Sequence, residues 1–285
     1  MSNITSSMFD SIKSALAADN DNNKSAIGDI LKTPPGNTFT VRLLPYAKDP
    51  SKTFFHYYQH GWNSFATGQY TSAISLQTFG ERDPIAEERY KILRTGNEEE
   101  KEKAKAIVRS EKWLVNVYVV NDPVNPENNG KVKMLRYGKQ IHNIITDAIE
   151  GEDAAELGPR IFDLGPDGVN FRVKVEKQGD FPTYVSSKFG MPSAIDNLDE
   201  DRHNEIYKNV FELSSVFSVK SANELKTMMD EHYYVRDSST DNNVVVDNPI
   251  EETPATTPVA APVVETKKDD NEDEVLKELL EGLDV

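Results

Sequence analysis

The chain has 285 residues and a formal charge of −16, from 48 Asp+Glu against 32 Lys+Arg, with five His and no Cys. That length admits one or two domains with a sizeable core, and the lack of cysteine excludes a disulfide framework, a thiol nucleophile and any Cys-held zinc or iron–sulfur site. No stretch reaches the roughly 18 apolar residues of a membrane helix, and MSNITSSMFD lacks a cationic segment leading into an apolar core, so a cytoplasmic chain with no leader and no membrane contact is expected.

Residues 4–18 suit an amphipathic helix, with Ile4, Met8, Ile12 and Leu16 on one face. The polar run DNDNNKS follows it, which makes residues 1–24 an arm and 25–236 the body. Thr33 to Asn37 is a turn, and Phe39–Leu44 and Phe54–Gln59 read as strands. Residues 85–108 are charged and helical in pattern, with a break at Thr95-Gly96-Asn97. Trp113–Val120 is a β-branched and aromatic run. The loop from Asp122-Pro123 to Asn129-Gly130 leads into a strand at Val132–Tyr137 and a helix at Lys139–Glu150. Asn170–Glu176 alternates, with Phe171, Val173 and Val175 opposite Arg172 and Lys174. Two closing helices are expected at 199–216 and 221–232. Five short strands with unequal insertions do not fit a regular parallel α/β fold. A mainly β fold fits better, a small five-stranded barrel with helical additions.

From Asp237 to Val285 fourteen acids face only Lys267, Lys268 and Lys277. This segment carries −11 and leaves −5 for the other 236 residues. Its middle, ETPATTPVAAPVVETKK, is rich in Pro, Thr and Ala and cannot bury enough surface to offset ordering entropy, so a disordered acidic tail is expected over 237–285. Val275, Leu276, Leu279, Leu280 and Leu283 recur at helical spacing among the terminal acids. The end is either a peptide that becomes helical on a partner or a plain solubilising tail.

Catalytic signatures are missing. There is no GxxxxGK, GxGxxG, GxSxG or HExxH. His56 and His60 would share a face of a strand and could be half of a metal site, but no acidic cluster with ligand spacing accompanies them. The chain is therefore expected not to be an enzyme.

Cations and rings are interleaved in two stretches. Arg109, Lys112, Lys131, Lys133, Arg136 and Lys139 alternate with Trp113, Tyr118 and Tyr137, against only Glu111, Asp122 and Glu127. The second stretch holds Arg172, Lys174, Lys177, Phe181, Tyr184, Lys188 and Phe189. A single-stranded nucleic-acid groove requires this combination, since cations hold phosphates and flat rings stack on unpaired bases. An ordinary sheet, with rings in the core and lysines in water, would use the same residues. Phe181 and Tyr184, in the polar loop QGDFPTYVSSK, have no evident core to fill.

The run WLVNVYVVNDPVNPENNGKVKMLRYGKQIHNII (113–145) resembles the central segment of the single-stranded DNA-binding proteins of T4-like bacteriophages. GNTFTVRLLPYAKD (36–49), His60-Gly61 followed by an aromatic, GVNFRVKVEKQGDFPTYVSSKFGMPSAI (168–195) and the acidic DEVLKELLEGLDV terminus fall in the family's order. The resemblance implies an OB-fold core that binds single-stranded DNA without sequence preference. It implies a host-cytoplasmic role in phage replication, recombination and repair, and an N-terminal arm that contacts neighbouring copies. It also implies an acidic tail that recruits replication and recombination proteins and competes with DNA. Carried over by position, the DNA-facing residues are Arg109, Trp113, Arg136, Tyr137, Phe181 and Tyr184; charge adds Lys112, Lys133 and Lys139. The family's zinc is held by one His and three Cys. His60 stands at the His position, and Ala73, Asp83 and Ala86 at the others, so no zinc or other cofactor is expected and packing must hold the loop 64–90. The arm has one lysine where the family has a basic cluster, which leaves its apolar face to carry cooperativity. The competing reading is an acidic interaction scaffold that does not bind DNA.

Overall fold

The structure, a computed structural model, describes residues 27–236 except 180 and 197. The expected arm (1–24) and acidic tail (237–285) therefore lie outside the described residues. Eight antiparallel strands form the body: β1 (Asn37–Leu44), β2 (Phe54–Asn63), β3 (Tyr70–Ile74), β4 (Arg109–Asn121), β5 (Val132–Tyr137), β6 (Val169–Gln178), β7 (Phe181–Thr183) and β8 (Lys188–Pro192). Among the described residues five α-helices accompany them: α1 (Pro84–Thr95), α2 (Glu98–Ala104), α3 (Lys139–Glu150), α4 (Glu200–Lys208) and α5 (Ala222–Met229). No helix among the described residues is long and apolar enough to cross a membrane.

The five expected strands are present as β1, β2, β4, β5 and β6. The three additional ones are short and carry weak signals. β3 is YTSAI, β7 contains Pro182, and β8 contains Gly190 and ends on Pro192, residues that disfavour a strand interior. The first closing helix is shorter than expected. It stops at Lys208 because buried Asn116 takes both backbone groups of Phe211, donating to its carbonyl at 2.9 Å and accepting its N–H at 3.0 Å. That pairing holds the chain extended where the helix would have continued.

β4 is the spine of the sheet. β2 and β1 follow one another along one edge, with Trp113 opposite His56 and Val117 opposite Leu43; β5 pairs the other edge, with Trp113 opposite Tyr137. Residues 113–119 of β4 are buried on both faces, which explains the unbroken apolar run. One face, with Trp113, Val115, Val117 and Val119, packs against Ile141 and Ile145 of α3 and the inward side of β6. The opposite face carries Leu114 with Tyr57 and Met134. Among the described residues no strand pairing closes the sheet into a ring. The outer edge of β5 is covered instead by residues 29–31, with Leu31 N–H donating to Met134 O at 2.8 Å and Met134 N–H to Asp29 O at 3.0 Å.

Arg42 on β1 is fully buried. It donates to Asn170 Oδ1 at 2.8 Å, to the carbonyls of Asp163 (2.7 Å) and Gly165 (2.9 Å), and to Ser193 O. A Cβ at Gly168 would meet Asp163 O at 2.0 Å and Arg42 Nη1 at 2.2 Å, so this corner accepts only glycine.

Candidate nucleic-acid interface

The β4–β5 register decides which side chains reach solvent. On β5, Leu135 and Tyr137 turn into the α3-facing core, and Arg136 points the other way and is exposed. Lys112 on β4 emerges on the same side as Arg136. Immediately after Tyr137, Gly138 starts α3 without a side-chain cap, leaving Lys139 and Gln140 in the first turn. Gln140 Oε1 accepts the backbone N–H of Tyr184 at 2.8 Å and the Thr183 hydroxyl at 3.4 Å. One amide thus ties the 181–184 loop to the β5–α3 junction, across 44 residues of sequence.

This tie creates an open cleft of about 1130 Å³. Its floor and rim hold Lys112, Arg136, Tyr137, Lys139, Pro182 and Tyr184. Residues 27–34 form one wall and Val124–Asn128 of the loop after β4 another. Four lining side chains are cationic, Lys32 being the fourth, and Glu127 is the one lining carboxylate. None of the four cations is ion-paired among the described residues. Burial, and then the like charge of Arg136, push the Lys112 ammonium below the usual lysine range. Burial pushes the Tyr57 hydroxyl up to about 12, with Arg136 partly opposing it.

Five of the nine expected residues therefore meet in one place: Lys112, Arg136, Tyr137, Lys139 and Tyr184. Phe181, beside Pro182, is 77% exposed. Lys133 does not join them, because its ammonium is ion-paired with Asp29 of the segment that covers β5. Trp113 and Tyr137 are corrections to the stacking expectation. At 6% and 3% exposure both belong to the core, so their rings are not open platforms, although Tyr137 also lines the cleft. Burial raises the Tyr137 hydroxyl, which has no hydrogen-bond partner among the described residues.

Other rings pack around Trp113. His142 of α3 stacks on Trp113 at 4.0 Å and 10°, and His56 flanks the same ring at 4.9 Å. Tyr58 packs edge-on against His56 at 4.9 Å, and the Arg109 guanidinium lies 4.5 Å over the Tyr58 ring. Tyr137, Trp113, His142, His56 and Tyr58 are linked ring to ring and end under Arg109, on the face of the sheet opposite Lys112 and Arg136. Tyr58, His142, Lys32 and Gln140 were not among the expected residues, and His56 was expected only as half of a metal site. The signal for Tyr58 was the alternation of β2, which puts it on the same face as His56.

His56 and His60 share that face but not a site. His56 is exposed and bonded to Glu111 Oε1 at 2.8 Å. His60 is buried, with Nδ1 3.2 Å from Ile107 O and Nε2 3.2 Å from Asp83 Oδ2. Asp83 Oδ2 also accepts from Ser75 Oγ (2.6 Å) and Leu76 N (2.9 Å), and its Oδ1 accepts from Ile85 N and Ala86 N. Burial would raise this carboxyl, but the His60 bond and charge, Ser75 and the Ala86 amide outweigh it and hold it well below the usual carboxylate range. Ala73 lies directly opposite His60 on β3, so positions 60, 73, 83 and 86 do converge. The residues there do not fit a zinc ion: two are alanines, and the single carboxylate is already saturated by donors. This polar network, in addition to packing, holds the 64–90 loop.

A cleft lined by four unpaired cations, with Tyr184 beside them, suits an extended polyanion that carries flat groups. Over residues 36–234 the chain matches the family described as gp32 DNA binding protein like, and it belongs to that family. It is 30% identical over 197 residues to the single-stranded DNA-binding protein of Enterobacteria phage T4, and 30% identical over 201 residues to that of Enterobacteria phage T2. The matches cover 66% and 67% of this chain but 63% and 64% of those proteins, so the chain spans less than two thirds of the relatives' length.

Proposed function

We propose that the chain binds single-stranded DNA without sequence preference, as a coating protein rather than an enzyme. The observation that carries this reading is the cleft in which Lys112, Arg136, Lys139 and Tyr184 come together from separated stretches. Unpaired cations hold phosphates, and rings at the rim stack on bases for roughly 1–3 kcal/mol each whatever the sequence. The names of the phage T4 and T2 relatives support the choice of DNA. In this reading the antiparallel body is a divergent OB-fold, and the protein works without zinc in the cytoplasm of an infected host. It serves replication, recombination and repair. Residues 1–24 link neighbouring copies through their apolar face, and 237–285 recruit other proteins and compete with DNA for the cleft.

Titration with oligo(dT) across salt concentrations, followed by tryptophan fluorescence, tests the proposal. The expected result is a change in Trp113 emission, transmitted through His142 and His56, that salt reverses. For single strands the slope of log K against log salt is about −0.7 for each phosphate neutralised. No signal and no retention on single-stranded DNA would favour the acidic scaffold.

A further inference from the structure

The ribbon that carries Phe181 and Tyr184 is weakly built. Among the described residues β7 pairs only with β6, through Glu176 opposite Thr183, Lys177 opposite Pro182 and Gln178 opposite Phe181. Pro182 has no N–H to give that ladder, and a two-stranded ribbon is marginal by itself. The turn into it passes through Gly179 at φ +61°. At its far end the buried Ser187 accepts the Lys174 N–H on its hydroxyl at 3.0 Å, and its own N–H closes on Tyr184 O at 2.9 Å. These bonds fasten the ribbon to β6.

Among the described residues its hydrogen bonds to α3 both end on Gln140 Oε1, from the Tyr184 N–H at 2.8 Å and the Thr183 hydroxyl at 3.4 Å. Phe181 and Thr183 lie on one face of β7, so the face held to Gln140 is the one that carries the exposed Phe181 ring. The Tyr184 ring lines the cleft and packs on the α3-facing core. Gln140 itself rides on a helix fixed one residue later by buried Ile141, and a rigid element is what holds a binding group in place. The side chain is neutral, so it adds nothing to the charge of the cleft.

We propose that Gln140 is a positioning residue for DNA: its carbonyl oxygen holds the 181–184 ribbon against the cleft, so that both rings are in place before a base arrives. The proposal rests on the single-stranded DNA reading. Without this latch, ordering the ribbon becomes a cost of each binding event, and affinity falls although every cation stays.

The test uses the full chain, oligo(dT) and Gln140→Ala. Binding is expected to weaken roughly twofold to tenfold, the worth of one neutral hydrogen bond. The salt slope stays unchanged, because no phosphate contact is removed. The melting midpoint should hold while the Tyr184 amide exchanges faster with deuterium, since the ribbon opens locally. Phe181→Ala should weaken binding of the wild type by about fivefold or more, and this loss should shrink in the Gln140→Ala background. Gln140→Glu keeps the acceptor oxygen and should restore both the slow Tyr184 amide and the full Phe181 loss. An undiminished Phe181 loss in Gln140→Ala, a flattened salt slope, a lowered melting midpoint, or a faster amide with unchanged affinity overturns the latch. A wild-type chain that does not bind oligo(dT) sinks the DNA reading itself, whereas wild-type binding with an unaffected Gln140→Ala sinks only the latch.

Discussion

Lys133 forms a neutral unit with Asp29, whereas Arg136, three residues along the same strand, has no ion pair among the described residues. Arg136→Gln should therefore weaken oligo(dT) binding and flatten the salt slope by about 0.7. Lys133→Gln should leave the slope unchanged and lose about 1 kcal/mol of stability in a denaturant titration. The rings divide in the same way. Phe181→Ala should remove about 1–3 kcal/mol of DNA affinity with an unchanged melting midpoint. Trp113→Ala should destabilise the fold by about 3–5 kcal/mol, because that ring is core. Lys112 adds a pH effect. Its lowered pKa means that rising pH discharges it before ordinary lysines, while a bound phosphate restores the charge. Affinity should fall as pH climbs through that value, and Lys112→Gln should lose this alkaline step in a pH series of titrations.

At the level of elements, Asp83 caps α1 and at the same time binds β2 through His60 and the turn after β3 through Ser75 and Leu76. A carboxyl with a depressed folded pKa stabilises above its unfolded value and loses that contribution as pH falls through the folded one. Asp83→Asn should cost about 2–3 kcal/mol at neutral pH. Its deficit against wild type should shrink below about pH 4, as measured by urea unfolding across pH. The long elements were legible in the sequence. β4 and β6 announce themselves by β-branched runs and alternation, and the α1–α2 break falls at Gly96 as the Thr-Gly-Asn triplet suggests. The convergence of 136–140 with 182–184 was not legible, because it hangs on Gln140, a surface-looking amide whose partner is a backbone 44 residues away. Nor was the burial of Trp113, which depends on His142 arriving from a helix on its face. Composition placed rings and cations in the same stretch but could not say which side of a strand each would take.

For the whole molecule, the charge totals are misleading until they are placed. The −11 of residues 237–285 leaves the rest only mildly acidic, and four cations still line one cleft. Deleting 237–285 should tighten oligo(dT) binding, most strongly at low salt where the Debye length is long. A truncated chain that binds no better in dilute buffer would remove the tail as an electrostatic rival. The segment at 29–31 has a double duty. It supplies the missing neighbour of β5, and it stands as one bank of the cleft. Lifting it would bare a strand rim ready to pair with any passing chain. A second copy could then join it edge to edge, so one short stretch of backbone both bounds the channel and shields the rim.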